Sequence, residues 1–154
     1  MSDDILTLVW FKRDLRVLDH APLTDAAEIG RVLPVYVIEP EVIEAADFDA
    51  LHWDFIRESL IDLNASLEEL GVSLFIQQGE VCDVFRRLHQ RIGFSQIFAH
   101  EETGNALSYS RDRRLANWAQ AAGVALKETP QNGVGRRLED RDGWSKVWES
   151  RMSQ

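Results

Sequence analysis

The chain has 154 residues, of which 26 are acidic and 17 basic, for a formal net charge of −9; this balance works against free-standing nucleic-acid binding, which needs a basic surface to neutralise phosphates. A hydrophobic fraction of 45% and a charged fraction of 28% describe an ordinary globule, long enough for one domain with a real core, with no apolar run of membrane-spanning length and no basic-then-apolar secretory leader. The single cysteine, Cys82, excludes an internal disulfide and fits a reducing cytoplasm.

The chain opens on its most telling stretch, Ile5 to Asp19, ILTLVWFKRDLRVLD. Ile5 to Phe11 is apolar on both alternating faces, as in a strand buried on both sides. Lys12, Arg13, Asp14 and Arg16 end it abruptly, so the chain must emerge at Phe11–Lys12. That point is the carboxyl end of a first strand, where open α/β sheets place their ligands. A solvated turn with local ion pairs is the plainer account of the same charges.

Asp19 to Gly30 reads as a short helix with Asp19 as N-cap and Pro22 in the first turn. Arg31 to Ile38, RVLPVYVI, is a second strand closed by Glu39-Pro40; Pro34 asks for an edge position or a place among its first residues. Glu41 to Asp49 is acidic and alanine-rich without a period, a loop or a short helix. Trp53, Ile56, Leu60, Leu63, Leu67 and Leu70 recur at three and four and form one face of a long helix that Gly71 ends. Val72 to Gln77 is a third strand. Val81, Val84, Phe85, Leu88 and Ile92 form the stripe of a further helix, stopped by Gly93. Phe94 to Ala99 is a fourth strand and delivers His100, Glu101 and Glu102 at its carboxyl end. Asn105 is placed to cap the next helix, with Leu107, Arg111, Leu115, Trp118 and Ala122 on one side, and Val124 to Glu128 is a short fifth strand.

Strands alternating with helices through short loops imply a parallel sheet with right-handed crossovers. The expected fold is α/β, a Rossmann-like three-layer sandwich around a five-stranded parallel sheet, over residues 1–129. Residues 130–154 break the pattern with Gly133, Gly135, Gly143 and mixed charges, and read as the start of a linker in which Trp144 and Trp148 anchor a partner surface.

Several chemistries are missing. No G-x-G-x-x-G follows the first strand and no Walker loop occurs, which argues against an ordinary NAD enzyme, a nucleotide hydrolase or a small nucleotide binder like the universal stress proteins. His100-Glu101-Glu102 is the best chemical cluster: it can orient a ligand's ring nitrogens or hydroxyls, or act as acid and base. The plainer account is carboxylates stabilised by the dipole of the helix that follows. With these residues from one segment as the only converging ligands, no metal site is expected. Cys82 reads as a buried or half-buried thiol, not a nucleophile. Trp53 and Trp118 read as core, and Trp10 as the wall of a pocket.

VWFKRDLRVLDHAPL resembles the opening signature of the DNA photolyase and cryptochrome family, W-F-R-R-D-L-R-x-x-D-N-x-A-L, with Lys12 for the first arginine and His20 for the usual Asn. HEETGN with YSRDRR (His100 to Arg114) and PQNGVGRRLEDRDGW (Pro130 to Trp144) are similar to two later stretches of that family, in the same order. The resemblance implies an N-terminal α/β domain that holds a light-harvesting antenna chromophore: a deazaflavin, a flavin or a folate. It implies a partner, the C-terminal helical domain that holds FAD and meets damaged DNA; this chain resembles the α/β part alone, so alone it is expected to be inactive. The antenna pocket of such relatives lies by the carboxyl ends of the strands, which here points to Phe11, Lys12, Arg13, Ile38, Glu39, His100, Glu101 and Glu102. Folate-binding relatives carry Asn-Glu where Leu107 and Ser108 stand, which argues against a folate and leaves a deazaflavin, a flavin or an empty pocket. The competing reading is a protein-interaction module without chromophore, able to self-associate through the exposed interdomain face.

Overall fold

The structure is a computed structural model, and it describes residues 5–40, 50–101 and 106–130. Expectations for Glu41 to Asp49, for Glu102 and Asn105, and for Trp144 and Trp148 lie outside the described residues.

The elements follow one another as β1 (Leu6–Phe11), α1 (Ala21–Ile29), β2 (Arg31–Ile38), α2 (Ala50–Glu69), β3 (Phe75–Gln78), α3 (Val81–Ile92), β4 (Gln96–His100), α4 (Ala106–Ala122) and β5 (Ala125–Thr129). All pairings are parallel, in the order β3-β2-β1-β4-β5. The order reverses at β1, which pairs with β2 on one side and β4 on the other. This is the α/β sandwich the alternating pattern implies.

The double-sided apolar run of β1 explains its central place. Leu8 and Trp10 point into a layer closed by α3 and α4, with Phe85, Leu88, Leu115 and Ala119. Val9 and Phe11 point the other way, into a layer closed by α1 and α2, with Leu23, Ala26, Leu63 and Leu67. Each such side chain removed from water contributes roughly 1.5–3 kcal/mol before the loss of chain entropy.

Three local expectations are corrected. The N-cap of α1 is His20, not Asp19: His20 is extended, and its ring accepts the Leu23 N–H, while Asp19 turns through a left-handed φ of 53°. Pro34 keeps its expected place in the first half of β2: it pairs with Val9 of β1, while β3 pairs only from Val35 onward, so the strand has an open side at the proline. The third strand begins at Phe75 because Val72 N–H returns to Leu67 O at the end of α2, and Leu74 N–H is taken by Asn64 Oδ1. The helical stripes also stop short, since Leu70, Ile92 and Ala122 are exposed, with Ala119 buried on α4 instead.

No helix of the described residues is long and apolar enough to cross a membrane. Phe85, fully buried against Trp10, tests the core directly. Phe85→Ala should cost about 3–5 kcal/mol in equilibrium urea unfolding, whereas Ile92→Ala on the same predicted stripe should cost about 0.5 kcal/mol or less.

Candidate functional site at the reversal of strand order

In an open parallel sheet the crevice forms where strand order reverses, because the loops leaving two adjacent strands diverge to opposite faces. Here that point lies between the carboxyl ends of β1 and β4. The chain leaving β1 is folded by its own polar groups. Asp14 Oδ1 accepts the Lys12 N–H at 2.8 Å, Arg16 N–H donates to Asp14 O at 2.8 Å, and the Arg16 guanidinium donates to Leu18 O and Asp19 O.

The second oxygen of Asp14 gathers both imidazoles. His20 Nε2 and His100 Nδ1 each lie 2.6 Å from Asp14 Oδ2, and all three side chains are buried. The protons can be assigned from the neighbours. Leu23 N–H points at His20 Nδ1 (3.1 Å), so Nδ1 is an acceptor and the ring proton sits on Nε2, directed at the carboxylate. His100 likewise gives Nδ1–H to Asp14. Burial alone would raise the Asp14 pKa, but the bonds from His100, His20 and the Lys12 amide outweigh it and hold the carboxyl well below its ordinary range. Burial pushes His20 below 6.5, only partly opposed by Asp14. The donor atoms of Asp14, His20 and His100 lie within 4.8 Å of one another, near enough to suggest a metal centre. The tautomer of His20 argues otherwise: the nitrogen that would have to offer a lone pair carries the proton. His100 Nε2 is buried without a hydrogen-bond partner among the described residues.

A second network occupies the opposite face of the sheet. Lys12 Nζ pairs with Asp112 Oδ2 at 3.3 Å, Arg111 Nε with Asp112 Oδ1 at 3.0 Å, and Arg111 Nη1 with Glu39 Oε1 at 2.6 Å. Lys12 Nζ and the Arg111 guanidinium stand 4.3 and 4.9 Å from the centre of the Trp10 ring. Glu128, at the end of β5, has its pKa raised, first by burial and then by Asp112 and Glu101, against the pull of Lys12 and Arg111. The ends of β1, β2, β5 and α4 are thus joined by charge.

Of the eight residues expected at the site, the seven that are described therefore separate. Lys12, Glu39 and His100 belong to the two networks. Phe11 is sealed in the core beneath His20, with ring centres 4.7 Å apart, and His20 in turn lies 4.6 Å from His100. Ile38 lines an apolar slot of about 260 Å³ with Trp53, Leu60, Ile61 and Ile76, edged by Arg57 and Asn64. Arg13 is exposed, and Glu101 is half-buried with its N–H on Thr129 O. Trp10 does not wall a pocket: it is 2% exposed and packs edge-on against Phe85. Sequence reasoning left out Asp14, His20, Arg111 and Asp112. Two signals were available: a lone acid inside a basic run at a strand end, and an arginine on the apolar stripe of α4. Cys82 is half-buried, its thiol pushed up to about 11 by burial and by Glu80, which keeps it protonated and inert.

A five-stranded parallel sheet between helical layers, with a polar rim at its reversal point, is an α/β fold of the Rossmann type. The family model for DNA photolyase matches residues 7–135, so the chain belongs to the DNA photolyase family. It is 34% identical over 157 residues to a chloroplastic/mitochondrial cryptochrome DASH of Solanum lycopersicum, covering 96% of this chain and 26% of that protein. A cryptochrome DASH of Natronomonas pharaonis is 32% identical over 130 residues, covering 79% of this chain and 27% of that one. Among solved structures, a bacterial class III photolyase from Agrobacterium tumefaciens superposes with a TM-score of 0.77 at 25% identity, over 90% of this chain and 29% of its own. An archaeal photolyase from Sulfolobus tokodaii shares the fold, with a TM-score of 0.78 at 23% identity, over 95% of this chain and 34% of its own. The chain spans about a quarter of the length of the curated relatives it matches.

The His20 tautomer carries a pH signature. With a folded pKa below 6.5, the unfolded chain binds the proton first as pH falls, so stability is full above about 6.5 and declines towards the folded value. Asp14 adds its own loss only below about 4, as pH approaches its depressed folded value. Urea midpoints measured from pH 7.5 to 5 should therefore fall, and His20→Asn, which keeps an acceptor for Leu23 N–H and a donor for Asp14 without titrating, should make that slope shallower.

Proposed function

We propose that this chain is the chromophore-holding α/β part of a photolyase- or cryptochrome-type protein, which serves light-driven DNA repair or blue-light sensing. The observation that carries the reading is the combination at one rim of two buried, hydrogen-bonded polar networks with the slot beside Ile38 and Trp53. A light-harvesting holder needs fixed distance and orientation, which rigid paired groups supply; it does not need a nucleophile. The residues fit a flat, largely apolar ring system: Trp53 offers a stacking face and Arg57 a polar edge. At about 260 Å³ the slot is smaller than sites that enclose a whole drug-sized ligand, so it suits one ring system rather than an entire dinucleotide. When bound, the chromophore supplies absorption of light; the protein residues position it and exclude water.

The archaeal photolyase is described with two FAD molecules and with the implication of a novel light-harvesting cofactor. That supports a flavin or deazaflavin over a folate here. On this reading residues 1–129 form the α/β domain, residues 130–154 begin a linker, and a helical FAD domain is the partner through which damaged DNA is met. The single Cys82 supports a reducing, cytoplasmic setting.

Equilibrium dialysis of the chain, handled in dim light, against riboflavin, a deazaflavin and a folate tests the reading. A flavin or deazaflavin should bind with a shift in its visible band, and Trp53→Ala should weaken binding about 10-fold, the size of one lost aromatic contact. Retention of none of the three leaves the chromophore role without support and favours an interaction module.

A further inference from the structure

The reversed strand order leaves β3 at one edge of the sheet and β5 at the other. The two edges differ. On β5, Lys127 stands exposed and reaches Asp25 at 3.0 Å, the kind of charge that blunts an edge against pairing. On β3 the sequence is FIQQ, with no charge, no proline and no bulge. Phe75 is 37% and Ile76 42% exposed, one on each face.

The outward peptide groups of β3 can be identified. Gly79 N–H, just past the strand, turns inward to Ile38 O at 3.0 Å. Alternation by two then turns Gln77 inward and Ile76 and Gln78 outward. The Ile76 carbonyl is met by the side-chain amide of the neighbouring Gln77, at 3.1 Å, a local substitute for a strand partner. Beside this edge, on the α3 face, runs a groove of about 260 Å³ with Phe75, Val84 and Leu88 as apolar floor and Arg87 and Arg91 on its rim. Arg86 pairs with Asp83 and Arg114 with Glu80, but Arg87 and Arg91 have no ion-pair partner among the described residues. Arg87 Nη2 lies 3.7 Å from where a Cβ on Gly79 would stand, so the guanidinium folds back over the strand end. Two guanidiniums unpaired among the described residues, beside an edge strand that carries no charge, stand out in a chain of net charge −9.

We propose that the β3 edge is a docking site for an extended segment of another protein in which glutamate alternates with apolar residues. The segment adds a strand to β3 and replaces the Gln77 amide at the Ile76 carbonyl. Side chains on the α3 face lay aliphatic stems over Phe75 and Leu88 and carry carboxylates to Arg87 and Arg91, which favours glutamate over the shorter aspartate. Side chains on the other face are apolar and cover Ile76. Main-chain bonds give affinity and the alternate side chains give specificity. This inference does not depend on a chromophore.

The test uses the full chain and a fluorescein-labelled ten-residue peptide of alternating glutamate and valine with solubilising ends, read by anisotropy. Binding should weaken at least 10-fold for Arg87→Glu/Arg91→Glu, for a peptide with lysine in place of glutamate, and for a peptide N-methylated on alternate residues, which keeps the charge but removes the donors. Far-UV circular dichroism verifies that the double variant is folded. Equal binding of the N-methylated peptide would overturn strand addition, and equal binding of the lysine peptide would overturn the acidic partner. Light scattering that shows the chain alone as a dimer dispersed by the double variant would overturn the proposal too, because the edge would then belong to a second copy.

Discussion

A single carboxylate, Asp14, holds the working end of this molecule together. Burying a charge is costly unless hydrogen bonds replace its water, and here three N–H groups do so: the Lys12 amide on one oxygen, and His20 and His100 on the other. These donors come from the exit of β1, the start of α1 and the end of β4. The bond to His20 also fixes that ring's other nitrogen as the acceptor that caps α1 through Leu23 N–H. Loss of the carboxylate would therefore release a loop, a helix terminus and a strand end at once, and would leave buried donors unmatched.

The pleat of β1 divides the rim into two halves. Asp14 sits with His20 and Phe11 on the side of α1 and α2, while Lys12 turns with Trp10 towards α4. The second half is bound by charge, through Asp112, Arg111 and Glu39, and reaches across to β2. A rim pinned on both faces by buried, paired groups has little freedom to reorganise. The apolar slot at Ile38 lies beside this stiff frame, on the face of α2.

Much of this was legible in the sequence, for a physical reason: helix and strand periodicities are local, and so is the exit of a buried strand into charge. The parallel sheet, three helical stripes and the placement of His100 at a strand end follow from such signals. What binds His100 does not, because Asp14 is 86 residues away and only the pairing of β1 with β4 brings them together. Arg111 shows the same limit. Its position on the buried stripe of α4 can be read, but the Glu39 that makes its burial tolerable sits on another element. The place of the third strand in the sheet is a further limit: β3 is an edge with Phe75 and Ile76 exposed, and strand order is not encoded in local pattern.

The departure at His20 shows how a family pattern can be kept in physics while it changes in letters. Where the pattern has Asn, an amide offers one acceptor and one donor on a short side chain. A neutral imidazole with its proton on Nε2 offers the same pair at opposite ends of a ring: the acceptor caps α1 and the donor reaches Asp14. The ring adds contacts that an amide lacks, lying tilted over Phe11 and meeting His100 edge-on. It also adds a group that must stay neutral for the cap to persist, since a second ring proton would face the Leu23 N–H donor to donor. The substitution thus preserves the architecture of the rim and ties it to pH, a dependence that an amide at the same position would not create.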